Sequence, residues 1–528
     1  MREHSTTMTT EQPPATRTAN PAVRAADFTP KTVGPGLALL IGTSVAFSAI
    51  QSYFGWKNSD PMMALSATLL IELTVLYWAF RVRPGGLPLA FYTISCFTFL
   101  TARIAVVSIT GFERHATAPW GLHVPSASIA VSVLMLIQVY LLSIWVTTSG
   151  LLWYASTRHR TRPLIAQAQS HATVAGLVSM LVGAPLYIQN RWEVVGSVAS
   201  AGYTEFYLSG SEMVSVTGRL GDSLLIVGFT VLLASMPRWR TYLLASFILV
   251  SCHGLDLVMG RRADFVLTVL LVAFYPLYRA SITVIRRDTV MKWPKFRTLV
   301  LLSLLAIPFI QLLNFISNTR GESAAEETST DAPPVLKFFY DQGVTANILG
   351  YLISDDFDIP DNRVYTFGPL IEFVQVRLIP GFDDSLYASQ TADRALEGYS
   401  FADTISYLIM PTGYENGMGY GSSAVAELFW DFGLVGVIAG GAVIGALLVL
   451  ASRIHEMPVY VGALVLLVFR DLTYTPRAPF LYWLVGALNV YNIIAFLLIM
   501  LMGWVIRDSQ LSRGTSSLQP GRATALAR

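Results

Sequence analysis

Residues 419–441 read GYGSSAVAELFWDFGLVGVIAGG, and this stretch decides the class of fold. A Gly- and Ser-rich turn leads into an apolar run that continues to Leu450. The run exceeds the roughly 20 residues that a helix needs to cross about 30 Å of hydrocarbon. Glu427 and Asp431 lie near its start, four residues apart and so on one face of a helix. Placing a carboxylate inside a bilayer costs roughly 2.5–3.5 kcal/mol of free energy, so the presence of two in this helix needs an explanation.

The composition of the whole chain is that of a membrane protein. It has 528 residues, of which 53% are hydrophobic and 13% are charged, whereas a soluble domain has about 25% charged residues. Both cysteines lie in apolar runs, which argues against a structural disulfide. No Walker sequence, CxxC pair or HExxH motif occurs, so nucleotide and zinc chemistry have no support, and we predict no cofactor and no metal.

The sequence predicts an all-α polytopic membrane protein with about twelve transmembrane helices. The apolar runs lie at roughly 35–52, 62–80, 88–109, 128–154, 171–189, 221–236, 241–258, 264–282, 298–317, 425–451, 458–473 and 481–505. Short cytoplasmic loops collect Lys and Arg, and here the basic segments follow the even-numbered runs, as in RHRTR (158–162). This pattern predicts that both termini are cytoplasmic.

The same topology divides the chain into five parts. We predict a disordered cytoplasmic tail, helices one to nine, an extracytoplasmic loop, helices ten to twelve and a second cytoplasmic tail, at residues 1–32, 33–317, 318–424, 425–506 and 507–528. The loop contains apolar stretches such as FGPLIEFVQVRLIPGF (367–382), which favour short helices that fold back on the membrane. Loops of this length are usually functional.

Several arginines lie on the predicted outer side, although basic residues normally collect in cytoplasmic loops. They lie close together in two segments of the sequence. GRRAD (260–264) and RDLTYTPRAP (470–479) both lie at predicted outer junctions between helices. Arginine suits planar, bidentate contacts to phosphate or carboxylate better than lysine does. Arg261, Arg262 and Arg477 are therefore candidate anion-binding residues. Other outer arginines are weaker candidates, and they can instead pair with acidic residues of the loop: Arg363, Arg377 and Arg470.

Further titratable residues occur at the predicted outer ends of helices seven and eight. His253 and Asp256 are one turn apart, and Asp264 begins the next apolar run. Ionisable residues inside membrane helices are functional candidates by default. Asp264 is also three residues from Arg261, so a local ion pair is an alternative reading.

Together these motifs resemble the Wzy-type oligosaccharide repeat-unit polymerases of bacterial O-antigen and capsule assembly. The resemblance rests on GRRADF (260–265), FFYDQGVTANILG (338–350) and GYGSSAVAELFWDFGLVG (419–436), and on the hydropathy profile. It implies a GT-C-type glycosyltransferase of the bacterial inner membrane whose active site faces the periplasm. Its donor and acceptor would be polyprenyl-pyrophosphate-linked oligosaccharides, without metal, and a co-polymerase that regulates chain length is a compatible further partner.

The resemblance gives the candidate residues roles. A departing pyrophosphate develops negative charge, which fixed cations in a water-poor site stabilise, so Arg261, Arg262 and Arg477 form a predicted clamp. The acceptor hydroxyl loses a proton as it attacks, so a base is needed within hydrogen-bond reach. The candidates for the base are Glu427, supported by Asp431, and His253. The loop aromatics, Tyr420 among them, are candidates for stacking on sugar rings.

Two other functions fit parts of the sequence. An O-antigen ligase shares the lipid donor and the long outer loop but transfers the finished glycan to a different acceptor. A flippase or other transporter of lipid-linked oligosaccharides also has about twelve helices, yet usually has short outer loops and charge inside the bundle. The YDQG and GYGSS segments favour the polymerase.

Overall fold

The computed structural model describes the following residues: 35–111, 126–158, 170–201, 215–258, 263–282, 311, 333–354, 357–383, 385–387 and 389–516. Within these ranges the chain forms helices and no strand, and ten helices are long and apolar enough to cross a membrane. The predicted all-α polytopic class is therefore confirmed. The number twelve and the GT-C-like arrangement remain predictions, and the predicted ninth helix, 298–317, lies outside the described residues.

Within the described ranges, the first part of the bundle contains nine helical segments. They are α1 (Pro35–Asn58), α2 (Pro61–Arg81), α3 (Leu87–Cys96), α4 (Ala102–Thr110), α5 (Ala127–Arg158), α6 (Ser170–Ala201), α7 (Val216–Ala234), α8 (Trp239–Val258) and α9 (Ala263–Ser281). A π-helical turn, Phe97–Thr101, joins α3 and α4 into one span. The helix α8 has 20 residues and carries Arg240, His253 and Asp256.

The second part begins with six short helices and ends with the last membrane helices. The short helices are α10 (Pro334–Gln342), α11 (Thr345–Ser354), α12 (Gly368–Leu378), α13 (Ala392–Glu397), α14 (Phe401–Ile409) and α15 (Pro411–Glu415). They are followed by α16 (Ala424–Ser452), α17 (Val459–Leu472), α18 (Tyr482–Ala487) and α19 (Val490–Ser516). We call the side of the bundle on which α10–α15 pack the loop side.

The structure corrects two predicted boundaries. The last predicted helix, 481–505, is broken at Leu488 and Asn489 into α18 and α19, and the Asn489 side chain accepts a hydrogen bond from the backbone amide of Tyr491 at 3.0 Å. An asparagine that accepts in this way starts a new helix. The predicted run 171–189 is also too short, because α6 continues as a helix to Ala201.

Glycines bring α6 and α7 into close contact. A Cβ on Gly183 would lie 2.7 Å from the carbonyl oxygen of Gly221, and one on Gly176 would lie 2.6 Å from that of Gly228. Small residues allow membrane helices to approach this closely, which maximises their van der Waals contact. The close approach fixes the loop-side ends of α6 and α7 relative to each other, where Arg191 and Asp222 lie.

The helix α16 is bent near its loop-side end. Gly433 adopts φ +59° and ψ −151° inside the helix, a conformation that is essentially restricted to glycine. The bend separates a short first segment, which carries Glu427 and Asp431, from the long apolar remainder. Loop residues share the buried core of the bundle, among them Ile348, Leu349, Tyr365, Phe401 and Ile405.

Candidate active site

Glu427 is fully buried and holds two segments of irregular chain. The Ser422 hydroxyl donates to its Oε1 at 2.6 Å, and the backbone amide of Phe480 donates to its Oε2 at 2.7 Å. Its side chain is 0% exposed. Both carboxylate oxygens are therefore occupied, and they join the GYGSS turn to the segment between α17 and α18.

Asp431 has a related role one turn further along α16. Its Oδ1 accepts from the backbone amide of Tyr365 at 3.2 Å, and its Oδ2 accepts from that of Thr366 at 2.6 Å. These amides begin a 3-10 turn, Tyr365–Phe367, which leads into α12. We call Glu427 and Asp431 the carboxylate anchors. They supply acceptors to backbone amides of irregular chain near the membrane, where water is scarce.

A second group of charged side chains gathers at the loop-side ends of α6, α7, α8, α9 and α17. We call it the acidic cluster, and it consists of Tyr187, Arg191, Asp222, His253, Asp256, Asp264, Thr268, Arg470 and Asp471. Four aspartates face two arginines and one histidine. Buried charges are stable only when they are paired, and each aspartate of this cluster has a cationic or imidazole partner.

Two arginines brace the cluster through three ion pairs. The Nε of Arg191 lies 3.0 Å from Asp256 Oδ1, while the Tyr187 hydroxyl donates to Asp256 Oδ2 at 2.6 Å. Arg470 donates to Asp264 Oδ1 at 2.8 Å and to Asp471 Oδ1 at 2.9 Å. Asp264 was expected to pair locally or to bind substrate, and its observed partner is Arg470 of α17. These contacts tie α6 to α8 and α9 to α17.

His253 lies between two oxygens at the centre of the cluster. Its Nδ1 is 2.5 Å from Thr268 Oγ1, and its Nε2 is 3.3 Å from Asp222 Oδ1. The histidine side chain is 1% exposed, whereas 43% of the Asp222 side chain is exposed. Sequence reasoning missed Asp222, because a polar residue at the start of a predicted helix is ordinary.

Two arginines hold the first loop helix against the bundle. Arg477 donates to the side-chain oxygen of Gln342 at 2.9 Å and to its backbone carbonyl at 3.3 Å. The guanidinium of Arg103 lies 3.9 Å above the Tyr340 ring and donates to the Tyr340 hydroxyl at 2.9 Å. We call these four residues the arginine latch. Sequence reasoning missed Arg103, although an arginine within the apolar run 88–109 was a visible signal.

Aromatic rings connect the latch to the acidic cluster. Arg477 lies 5.8 Å from the Phe99 ring, which lies 5.7 Å from Tyr474, and Tyr474 lies 6.1 Å from Tyr482 of α18. The same short helix packs directly on the cluster, since a Cβ on Gly486 would meet Asp471 Oδ2 at 2.5 Å. Packed aromatic rings therefore connect the two regions on the loop side.

The other predicted site residues make separate contacts or lie outside the described residues. Arg363 donates to the carbonyl of Gly398 at 2.8 Å, Arg377 is exposed on the last turn of α12, and Tyr420 is buried with its ring 6.2 Å from that of Tyr351. An outer arginine does pair with a loop acid, because Arg394 lies 2.8 Å from Asp403. The clamp residues Arg261 and Arg262 lie outside the described residues, between α8 and α9.

The comparison with known families decides the class of protein. A family model described as O-antigen polysaccharide polymerase Wzy matches residues 37–506. The chain belongs to this family. The resemblance inferred from the motifs is thus confirmed. No match was found among curated proteins or among solved structures.

Membership in the Wzy family agrees with the architecture. The family name denotes a polymerase of O-antigen polysaccharide, a reaction of the glycosyltransferase kind on lipid-linked repeat units. The membrane-spanning helices fit a multi-pass protein of the inner membrane. Among the residues that the structure describes, no three His, Cys, Asp or Glu side chains are arranged to hold a metal ion.

Proposed function

We propose that the protein polymerises polyprenyl-pyrophosphate-linked oligosaccharide repeat units into a surface polysaccharide at the outer face of the inner membrane. The Wzy match over residues 37–506 carries this proposal. The gathering of charged residues on the loop side, beneath the short helices α10–α15, supports the location of the site there. Both termini then lie in the cytoplasm and the loop side faces the periplasm.

The reaction is a substitution at an anomeric carbon. The hydroxyl oxygen of the new repeat unit bonds to the anomeric carbon of the growing glycan, and the bond from this carbon to the pyrophosphate oxygen breaks. The hydroxyl proton passes to a base, and the polyprenyl pyrophosphate leaves with the bonding electrons. Because the donor carries its own leaving group, the reaction needs no nucleotide sugar, and fixed arginines can replace a metal.

The arginines of the site have two roles: three bind the pyrophosphate, and one adds positive charge on the loop side. We assign Arg261, Arg262 and Arg477 to the pyrophosphate, as the motif resemblance implies. Arg470 is the further cation on the loop side. Asp264 and Asp471 hold its guanidinium in place, while its Nε has no hydrogen-bond partner in the described part of the chain. The carboxylate anchors position the GYGSS turn and the loop around the substrates.

Purified protein given lipid-linked repeat units and no other enzyme tests this function. We expect a ladder of products that differ by one repeat unit. A single transfer to a lipid A-core acceptor would identify a ligase. Unchanged units that cross the bilayer of a proteoliposome would identify a transporter.

The clamp has its own test in the same assay. Arg261→Ala and Arg262→Ala should each abolish the ladder while the protein remains in the membrane, because the leaving group loses its compensating charge. The exposed Arg377→Ala serves as a matched control for the loss of one positive charge. Ladders of normal length from both clamp variants would remove the clamp.

A further inference from the structure

The residues first considered as the base do not meet the structural requirements for that role. A general base must reach the acceptor hydroxyl and must keep a lone pair for its proton. Glu427 is fully buried, which keeps it from an acceptor hydroxyl. Each oxygen of Glu427 and of Asp431 already accepts a hydrogen bond from the protein, with which a substrate would have to compete. His253 is buried, and both of its ring nitrogens have partners.

Asp222 meets both requirements. Its side chain is 43% exposed, and in the described part of the chain only its Oδ1 is hydrogen-bonded. Its Oδ2 is therefore available to a substrate on the loop side. The rest of the residue is held firmly, because α7 is packed against α6 through glycine contacts.

The histidine behind Asp222 has a defined proton arrangement. A carboxylate only accepts hydrogen bonds, so the hydrogen between the two residues belongs to His253 Nε2. On its other side, the His253 Nδ1 lies within hydrogen-bond distance of the Thr268 hydroxyl. The side chains of Asp222, His253 and Thr268 thus form a chain from the loop side into the bundle, with α7, α8 and α9 each contributing one member.

We propose that Asp222 is the catalytic base and that His253 and Thr268 are positioning residues that fix its carboxylate. This inference rests on the proposed function. Oδ2 of Asp222 takes the proton of the acceptor hydroxyl as the new bond to the anomeric carbon forms and the bond to the pyrophosphate breaks. The exposed carboxyl group then releases the proton to water, which restores the base for the next repeat unit.

The surroundings of Asp222 determine how its ionisation responds to substitution. The titratable and charged groups that face it or border its helix are Tyr187, Arg191, Arg219, Cys252, His253, Asp256, Asp264, Arg470, Asp471 and Tyr491. A hydrogen bond from His253 favours the charged carboxylate. Loss of that donor leaves the carboxylate without its fixed partner, so kcat should fall while KM stays near the wild-type value.

The test measures kcat and KM for ladder formation by the purified protein across pH. Asp222→Asn should lower kcat by about 100-fold or more, the usual contribution of a general base, and leave KM within about threefold. Its residual activity should lack the acid limb. Asp222→Glu keeps a carboxylate and should recover part of the rate. The exposed loop variant Asp393→Asn is the matched control and should behave as wild type.

The positioning residue is tested by two variants of one position. His253→Gln keeps an N–H donor near Asp222 and should retain more of kcat than His253→Ala. Only the alanine variant should lower kcat by about tenfold or more, with KM within about threefold of wild type. Equal kcat values for the two variants would show that the N–H donor of His253 does not position Asp222.

The remaining outcomes separate this inference from the function on which it rests. A wild-type protein that makes no ladder contradicts the proposed function. A wild-type ladder together with an Asp222→Asn variant that keeps more than about a tenth of kcat contradicts only the assignment of the base. If Asp264→Asn loses kcat while Asp222→Asn retains it, the catalytic base is Asp264 and not Asp222.

Discussion

Two groups of carboxylates lie on the loop side of this bundle, and their surroundings differ. The anchors Glu427 and Asp431 use all four of their oxygens as acceptors, three for backbone amides and one for a serine hydroxyl. In the acidic cluster, Asp222 and Asp264 each keep 43% of the side chain exposed and contact a histidine or an arginine. The buried Glu427 is closed to a substrate, whereas Asp222 and Asp264 are open to one.

A carboxylate in a membrane helix is unfavourable in free energy, yet its presence alone is weak evidence for catalysis, and the two groups show why. Irregular backbone near the bilayer leaves amides without partners, and an acidic side chain satisfies them. Glu427 does this for Phe480, and Asp431 does it for the turn before α12. A carboxylate that remains open beside a fixed donor can instead act on a ligand.

Arg470→Ala should have the largest effect on folding. It would leave the buried Asp471 without its cation, and breaking a buried ion pair costs about 3–5 kcal/mol. We expect a marked fall in the melting temperature in detergent and no ladder. Arg377→Ala, which removes an exposed arginine, should change stability by no more than about 0.5 kcal/mol. Equal melting temperatures for the two variants would contradict the bracing role of Arg470.

Glu427→Ala should have an intermediate effect that separates stability from chemistry. Removing the acceptor of a buried backbone amide costs about 1–3 kcal/mol, so the melting temperature should fall. The rate per folded protein, measured at a temperature where the variant is folded, should stay within a few-fold of wild type. A variant that melts like the wild type but makes no ladder would restore Glu427 as a candidate base.

Asp431→Ala should have the smallest effect of the three and a local one. Asp431 accepts from two partly buried amides of the 3-10 turn Tyr365–Phe367, and a typical net contribution of one such hydrogen bond is about 0.5–1.5 kcal/mol. Hydrogen exchange should become faster for the amides of Tyr365 and Thr366 and remain unchanged in α17. Unchanged exchange at these two amides would show that Asp431 does not anchor the loop.

Much of this architecture could be read from the sequence, because membrane crossing depends on local composition. The long apolar runs and the GYGSS and GRRADF motifs were sufficient for the membrane class and for the Wzy resemblance. The break between α18 and α19 was not visible, since apolar residues flank Leu488 and Asn489 on both sides. A single polar residue in such a run does not reveal that it caps a new helix.

The candidate site was harder to predict because its members come from separate helices. Asp222 and His253 are 31 residues apart, and only the packing of α6, α7 and α8 brings them together. Glu427 was singled out because it is unusual in its helix, yet its partner Phe480 lies 53 residues further along the chain. Composition identifies a charged residue in a membrane helix, but the partner that decides its role depends on tertiary structure.

The specific activity of Asp222→Asn and of Glu427→Gln, measured side by side, tests the distinction between the two groups most directly. Both substitutions are nearly isosteric and remove one carboxylate, and the rate of ladder formation is divided by the amount of folded protein. We predict less than about 1% of the wild-type rate for Asp222→Asn and a rate within about threefold of wild type for Glu427→Gln. The reverse order would contradict the account, because it would make the buried anchor the base and the open aspartate dispensable.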